Sequence, residues 1–136
     1  MNPDNLVDFD GKGKYSPPEF IWKEPACVTA IKFFSSDKYG KEYKDDVFVG
    51  TSTGQLYHFD MNKDRTGFIL HNNLTDKIAD TNSRDELSQV LIGDKFGEGI
   101  TDMQVGAHDG LLYIVSTDGS IYKIVPKDIK LTEDNN

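Results

Sequence analysis

Few side chains in this sequence have the types and spacing that chemistry demands. Asp60-x-Asn62-x-Asp64-x-Thr66 opens like a calcium loop, whose oxygen ligands alternate along the chain. The sixth position should be glycine and is Arg65, and the bidentate glutamate expected at the twelfth is His71, so a polar turn between strands is the simpler reading. His58, His71 and His108 show no metal-ligand spacing and read as strand and turn residues. The single cysteine, Cys27, excludes an intrachain disulfide and a cysteine metal cage, and reads as a small apolar residue at a strand start rather than a nucleophile. Residues 10–14 (D-G-K-G-K) lack the flanking strand and helix of a phosphate loop. Asn73-Leu74-Thr75 is a glycosylation sequon on a loop, a triplet common by chance. No G-x-S-x-G, paired-cysteine or Ser/His/Asp arrangement is identifiable from spacing. Trp22 could stack on a planar cofactor, yet with Phe20 and Pro25 beside it the packing reading comes first. No catalytic residue and no metal ligand is assigned.

The elements that must hold these residues repeat. Residues 47–59 read V-F-V-G-T-S-T-G-Q-L-Y-H-F and residues 112–124 read L-Y-I-V-S-T-D-G-S-I-Y-K-I, so that Gly54 falls on Gly119 and Tyr57 on Tyr122. Upstream of each lies a second matching pair, V-T-A-I-K-F at residues 28–33 and I-T-D-M-Q-V at residues 100–105. A recurring β unit marks an array whose members complete each other's core. The predicted organisation is a lead-in at residues 1–26, a first blade at 27–71, a connection with a short helix at 72–99, a last blade at 100–126 and a tail at 127–136. The first blade has four predicted strands, the fourth at residues 67–71. Ser83-Arg84-Asp85-Glu86 is a capping-box sequence followed by apolar residues at helical spacing, which predicts a helix over residues 84–91. The last blade has three predicted strands. Four plus three suits two blades of an all-β propeller, whose rings often close by lending a strand between chain ends. A self-contained seven-stranded sandwich is the competing architecture.

With 136 residues, 37% hydrophobic and 28% charged, the chain can form one ordinary domain. The formal net charge of −8, with lysines scattered among acids in residues 37–46, argues against a nucleic-acid partner. No apolar run approaches the ~20 residues that span a bilayer, and none is expected to contact a membrane. Polar residues 1–14 read as no signal peptide.

Three stretches resemble the glucose/sorbosone dehydrogenase family, six-bladed propellers of the soluble aldose sugar dehydrogenase kind that oxidise sugars with pyrroloquinoline quinone (PQQ). They are P-E-F-I-W-K-E-P-A-C-V-T-A-I-K-F (18–33), Y-K-D-D-V-F-V-G-T-S-T-G-Q-L-Y-H-F-D (43–60) and I-T-D-M-Q-V-G-A-H-D-G-L-L-Y-I-V-S-T-D-G-S-I-Y-K-I (100–124). Their order is similar to the C-terminal two blades, and the resemblance covers roughly residues 15–126. It implies PQQ and calcium in the family, an extracytoplasmic setting and a sugar or other small-molecule ligand. Trp22 stands where the resemblance implies a cofactor-side tryptophan. The implied lysine falls in residues 51–53, which have no cation, and the implied R-x-R-D reads Gly99-Ile100-Thr101-Asp102, keeping only the aspartate. PQQ carries three carboxylates, which cations hold by charge-assisted bonds of about 1.5–3 kcal/mol each. No cofactor is therefore expected in this chain alone. The expected role is structural, closing a ring of oxidoreductase-like blades. The alternative is a non-catalytic propeller that has lost the cofactor site and serves as a binding module. Two blades alone leave sheet faces open, so the expected partners are the remaining blades or further copies, three of which would make six blades.

Overall fold

The structure, a computed structural model, describes residues 10–13 and 15–127. Among the described residues nine strands occur in chain order: β1 (Ile21–Trp22), β2 (Val28–Phe33), β3 (Val47–Thr51), β4 (Leu56–Phe59), β5 (Ile78–Ala79), β6 (Leu91–Gly93), β7 (Ile100–Val105), β8 (Leu112–Ser116) and β9 (Ile121–Lys123). They form an antiparallel sheet β2-β3-β4-β6, a second antiparallel sheet β7-β8-β9, and a small parallel pair β1-β5. The chain is all-β, with a single 3₁₀ turn, Asn72–Leu74, among the described residues. No helix there is long and apolar enough to cross a membrane. The tail and the first part of the lead-in lie largely outside the described residues.

The two larger sheets are one unit built twice. Gly54 and Gly119 both take positive φ, +76° and +86°, which a tight turn demands of a residue without Cβ. Each donates its N–H to the end of the preceding strand, Gly54 to Thr51 O and Gly119 to Ser116 O, both at 3.1 Å. The first two strands of each sheet carry a bulge at the same place, at Val28/Ala30 and at Ile100/Asp102. The bulged threonines make matching contacts, Thr29 Oγ1 lying 3.3 Å from Gly50 O and Thr101 Oγ1 lying 3.1 Å from Val115 O. Shared hydrogen bonds at shared positions are a stronger sign of repetition than shared residue types.

The sheets stack in the same sense. Call the face carrying Val47, Val49, Tyr57 and Phe59 the front of the first sheet; its counterparts in the second are Leu112, Ile114, Tyr122 and Ile124. The front of the second sheet packs on the back of the first, where Phe48 and Leu56 project. A sandwich of two such units would more simply bury front against front. The interface also tapers. Near β2 and β7 the backbones touch, with the Thr29 hydroxyl donating across to Ile100 O and Gly50 and Gly99 allowing close approach to Ile100 and Ser52. Farther out the gap is filled by Phe34, Tyr39, Phe48, Phe96 and Tyr122, and it opens into an apolar groove of about 290 Å³. Tyr39 spans the gap, accepting from Leu112 N at 2.6 Å and donating to Ile124 O at 3.0 Å. Burial raises the pKa of its phenol.

The front of the first sheet is covered by the lead-in and the connection. Lys77 O and Ala79 O accept from Ile21 N and Lys23 N, which lays Phe20 and Trp22 over Tyr57 and Phe59. Two sequence expectations fail here. Residues 67–71 do not form the fourth strand of the first sheet; after one bridge, Met61 with Phe68, they leave it. The Gln89 amide then captures His71, accepting from its N–H and donating to its carbonyl. The fourth strand is β6, paired to β4. Nor is there a helix over residues 84–91. The capping serine does bond Glu86 N at 3.2 Å, but Glu86 turns to Asp80 N instead of completing the box. Val90 O accepts from His58 N at 2.8 Å, drawing the segment into the sheet before a helix is established. So short a helix has a costly nucleus and little to gain by propagation. Burying Leu87 and Val90 through consecutive turns satisfies the same apolar pattern.

Candidate functional site

Sequence positions that looked inert converge at the far end of β3 and β4. The register pairs Val47 with Phe59 and Phe48 with His58, so one step further sets Asp46 opposite Asp60. His58 and Asp60, two residues apart, lie on the same side of the strand. Nε2 of His58 lies 3.0 Å from Asp46 Oδ2 and 3.5 Å from Asp60 Oδ1. The other Asp46 oxygen accepts from Met61 N at 2.8 Å. Asp46 is buried, His58 nearly so, and Asp60 is exposed. The imidazole is walled by the rings of Tyr43 and Phe48 at 4.9 and 5.2 Å between centroids. Beside Asp46 lies a polar recess of about 210 Å³, bordered also by Lys44, Asp45, Met61, Lys63 and Arg65.

The sequence reading missed this cluster because Asp46 belonged to a mixed-charge loop and Asp60 to a false calcium loop. The signal that could have found it is the strand register itself, extended by one residue beyond each strand. The apparent calcium loop is closed by its own side chains: Asn62 Oδ1 accepts from Thr66 N at 2.8 Å, and Arg65 pairs with Asp45 at 2.5 Å. His71 and His108 lie elsewhere, both exposed. The Asn73 amide of the sequon donates to Glu86 O at 3.0 Å. Cys27 is not an apolar strand residue; it sits exposed just before β2 with φ of +47°.

Trp22 is packed edge-on against Phe20, Tyr57 and Phe59 at centroid distances of 4.6, 5.3 and 6.1 Å. Burial raises the pKa of the Tyr57 phenol beneath it. At the implied lysine position, Thr51 and Thr53 instead bond each other at 3.1 Å. At the first implied arginine position, a Cβ built on Gly99 would stand 2.3 Å from Ser52 O, leaving no room for any side chain, and at the second Thr101 donates to Val115 O. Asp102 accepts from its neighbour Met103 N at 2.8 Å. These residues do not fit a tricarboxylate cofactor.

Comparison with protein-family models, curated proteins and solved structures finds no match to this chain.

Proposed function

We propose that this chain supplies two neighbouring blades of a propeller similar to the glucose/sorbosone dehydrogenases, and that its own part is structural rather than redox. The unequal exposure of equivalent positions carries this reading. On the front, Ile31 is 61% exposed while its counterpart Met103 is 1% exposed. On the back, Leu56 is 2% exposed and its counterpart Ile121 is 70% exposed. Met103 and Leu56 are buried between the two sheets, whereas Ile121 and Ile31, the latter on the β2 edge that the lead-in and the connection leave uncovered, face no sheet. Val28, Phe33 and Val115 extend the two bare strips. Full burial of one such side chain is worth about 1.5–3 kcal/mol, enough for a few of them to drive association.

The partner that fits each strip is a sheet of the same build: another blade, or a second copy placed back to front. Such a contact is heterologous, and three copies would give six sheets in a ring. Sedimentation equilibrium of the chain tests it. The expected mass exceeds that of the monomer and rises with concentration, and a concentration-independent monomer overturns the proposal.

Two observations favour a non-redox part: the blocked approach at Gly99 and the seating of Trp22 among aromatic rings. With PQQ, calcium, an aldose and a redox dye, no dye reduction is expected. Turnover would overturn the non-catalytic reading.

A further inference from the structure

We propose that Asp46, His58 and Asp60 bind one divalent cation of the zinc class, a site independent of the blade reading. Carboxylates set directly opposite on antiparallel strands repel and call for positive charge between them. Among the described residues, neither Asp46 nor Asp60 pairs with a lysine or arginine; both converge on His58 Nε2. That nitrogen carries at most one proton, and its 3.0 Å contact with Asp46 leaves Asp60, at 3.5 Å, without a hydrogen from His58. A divalent ion satisfies all three groups at once and cancels both carboxylate charges.

The spacing suits such an ion. Bonds of about 2.0–2.2 Å from zinc to nitrogen and oxygen set tetrahedral ligand–ligand edges at roughly 3.3–3.6 Å. The two edges at Nε2 measure 3.0 and 3.5 Å, and all three ligand atoms lie within 4.8 Å of one another. One imidazole with two carboxylates favours zinc, or its substitute cobalt, over magnesium and calcium, which prefer all-oxygen shells. The exposed Asp60 side chain leaves that side of the site open to solvent, so the fourth position falls to water. Met61 N–H fixes the Asp46 carboxylate from behind, the outer-shell support that metal ligands need.

The test uses the chain stripped with a chelator and titrated with Zn²⁺ by calorimetry and with Co²⁺ by visible absorption. The expected result is one ion per chain and a cobalt spectrum typical of four-coordination. Asp60→Asn changes an exposed side chain and keeps the fold, so its circular dichroism and melting serve as control. Outer-shell changes alone weaken metal sites by about 10–100-fold, so loss of a ligand in Asp60→Asn or His58→Gln should weaken zinc by more than about 100-fold. His71→Gln and His108→Gln should bind as the parent does. Absence of stoichiometric binding, or binding kept in Asp60→Asn, overturns the site.

Discussion

Gly50 of β3 lies so close to Ile100 of β7 that a Cβ built on the glycine would stand 2.4 Å from the isoleucine Cγ2. Its φ is not in the left-handed region, so space alone excludes a side chain there. Gly50→Ala should destabilise the chain by about 1–3 kcal/mol, the usual effect of overpacking. Combined with Ile100→Ala, which removes the opposing methyl, the loss should be smaller than the sum of the two single variants. Urea unfolding of the four proteins measures this, and strict additivity would refute the contact.

Trp22 is the single tryptophan, so its fluorescence reports its surroundings without interference. Packed on three rings, it should emit at short wavelength and resist quenching by iodide. PQQ should leave its intensity unchanged beyond simple light absorption. Trp22→Ala should lose toward the lower end of about 3–5 kcal/mol, since the ring is half-buried. A saturable quench on adding PQQ would instead return Trp22 to a cofactor-facing role.

Charges placed on the two bare strips should control assembly. Ile31→Asp and Ile121→Lys each put a charge where the proposed neighbour would pack, and both sites are exposed, so the fold should tolerate them. Each variant alone should sediment as a monomer. An equimolar mixture should recover association through the new opposite-charge contact, whereas association by either variant alone would argue for a different surface.

Asp109 ties the turn between β7 and β8 to Tyr113, accepting its hydroxyl at 2.7 Å and Leu111 N at 3.1 Å. The tyrosine bond first, then the backbone bond, holds this carboxyl below its ordinary value of 3.8. A depressed folded pKa contributes stability above the unfolded value, lost as pH falls through the folded one. Melting temperature should therefore drop on acidification below about pH 4. Asp109→Asn should flatten that part of the profile relative to the parent. An unchanged acid slope would show that the pair contributes nothing.

The repeat was legible because it is written in residues with little freedom. A turn needing positive φ asks for glycine, and an unbroken apolar run marks a strand buried on both faces, as at Val47, Phe48 and Val49. The fourth strand was not legible. Leu91–Gly93 reaches β4 across more than thirty intervening residues, and no local pattern separates it from a helix end. The helix expected at residues 84–91 failed for the same reason, since a long-range bond to His58 N outweighed a good local cap. The Asp46, His58 and Asp60 cluster was hidden between a loop and a strand. Its members meet only when register is applied, and register belongs to two strands at once.

Because small residues line the thin end of the interface and aromatic rings its thick end, the second sheet is swung through an angle relative to the first, and in the head-to-tail packing proposed above each further sheet would turn in the same sense. The angle, not adhesive strength, decides whether a head-to-tail series bites its own tail or runs on without limit. Thickening the thin end, as Gly50→Ala would, flattens that curvature, and the product to look for is then a fibre in place of a finite particle.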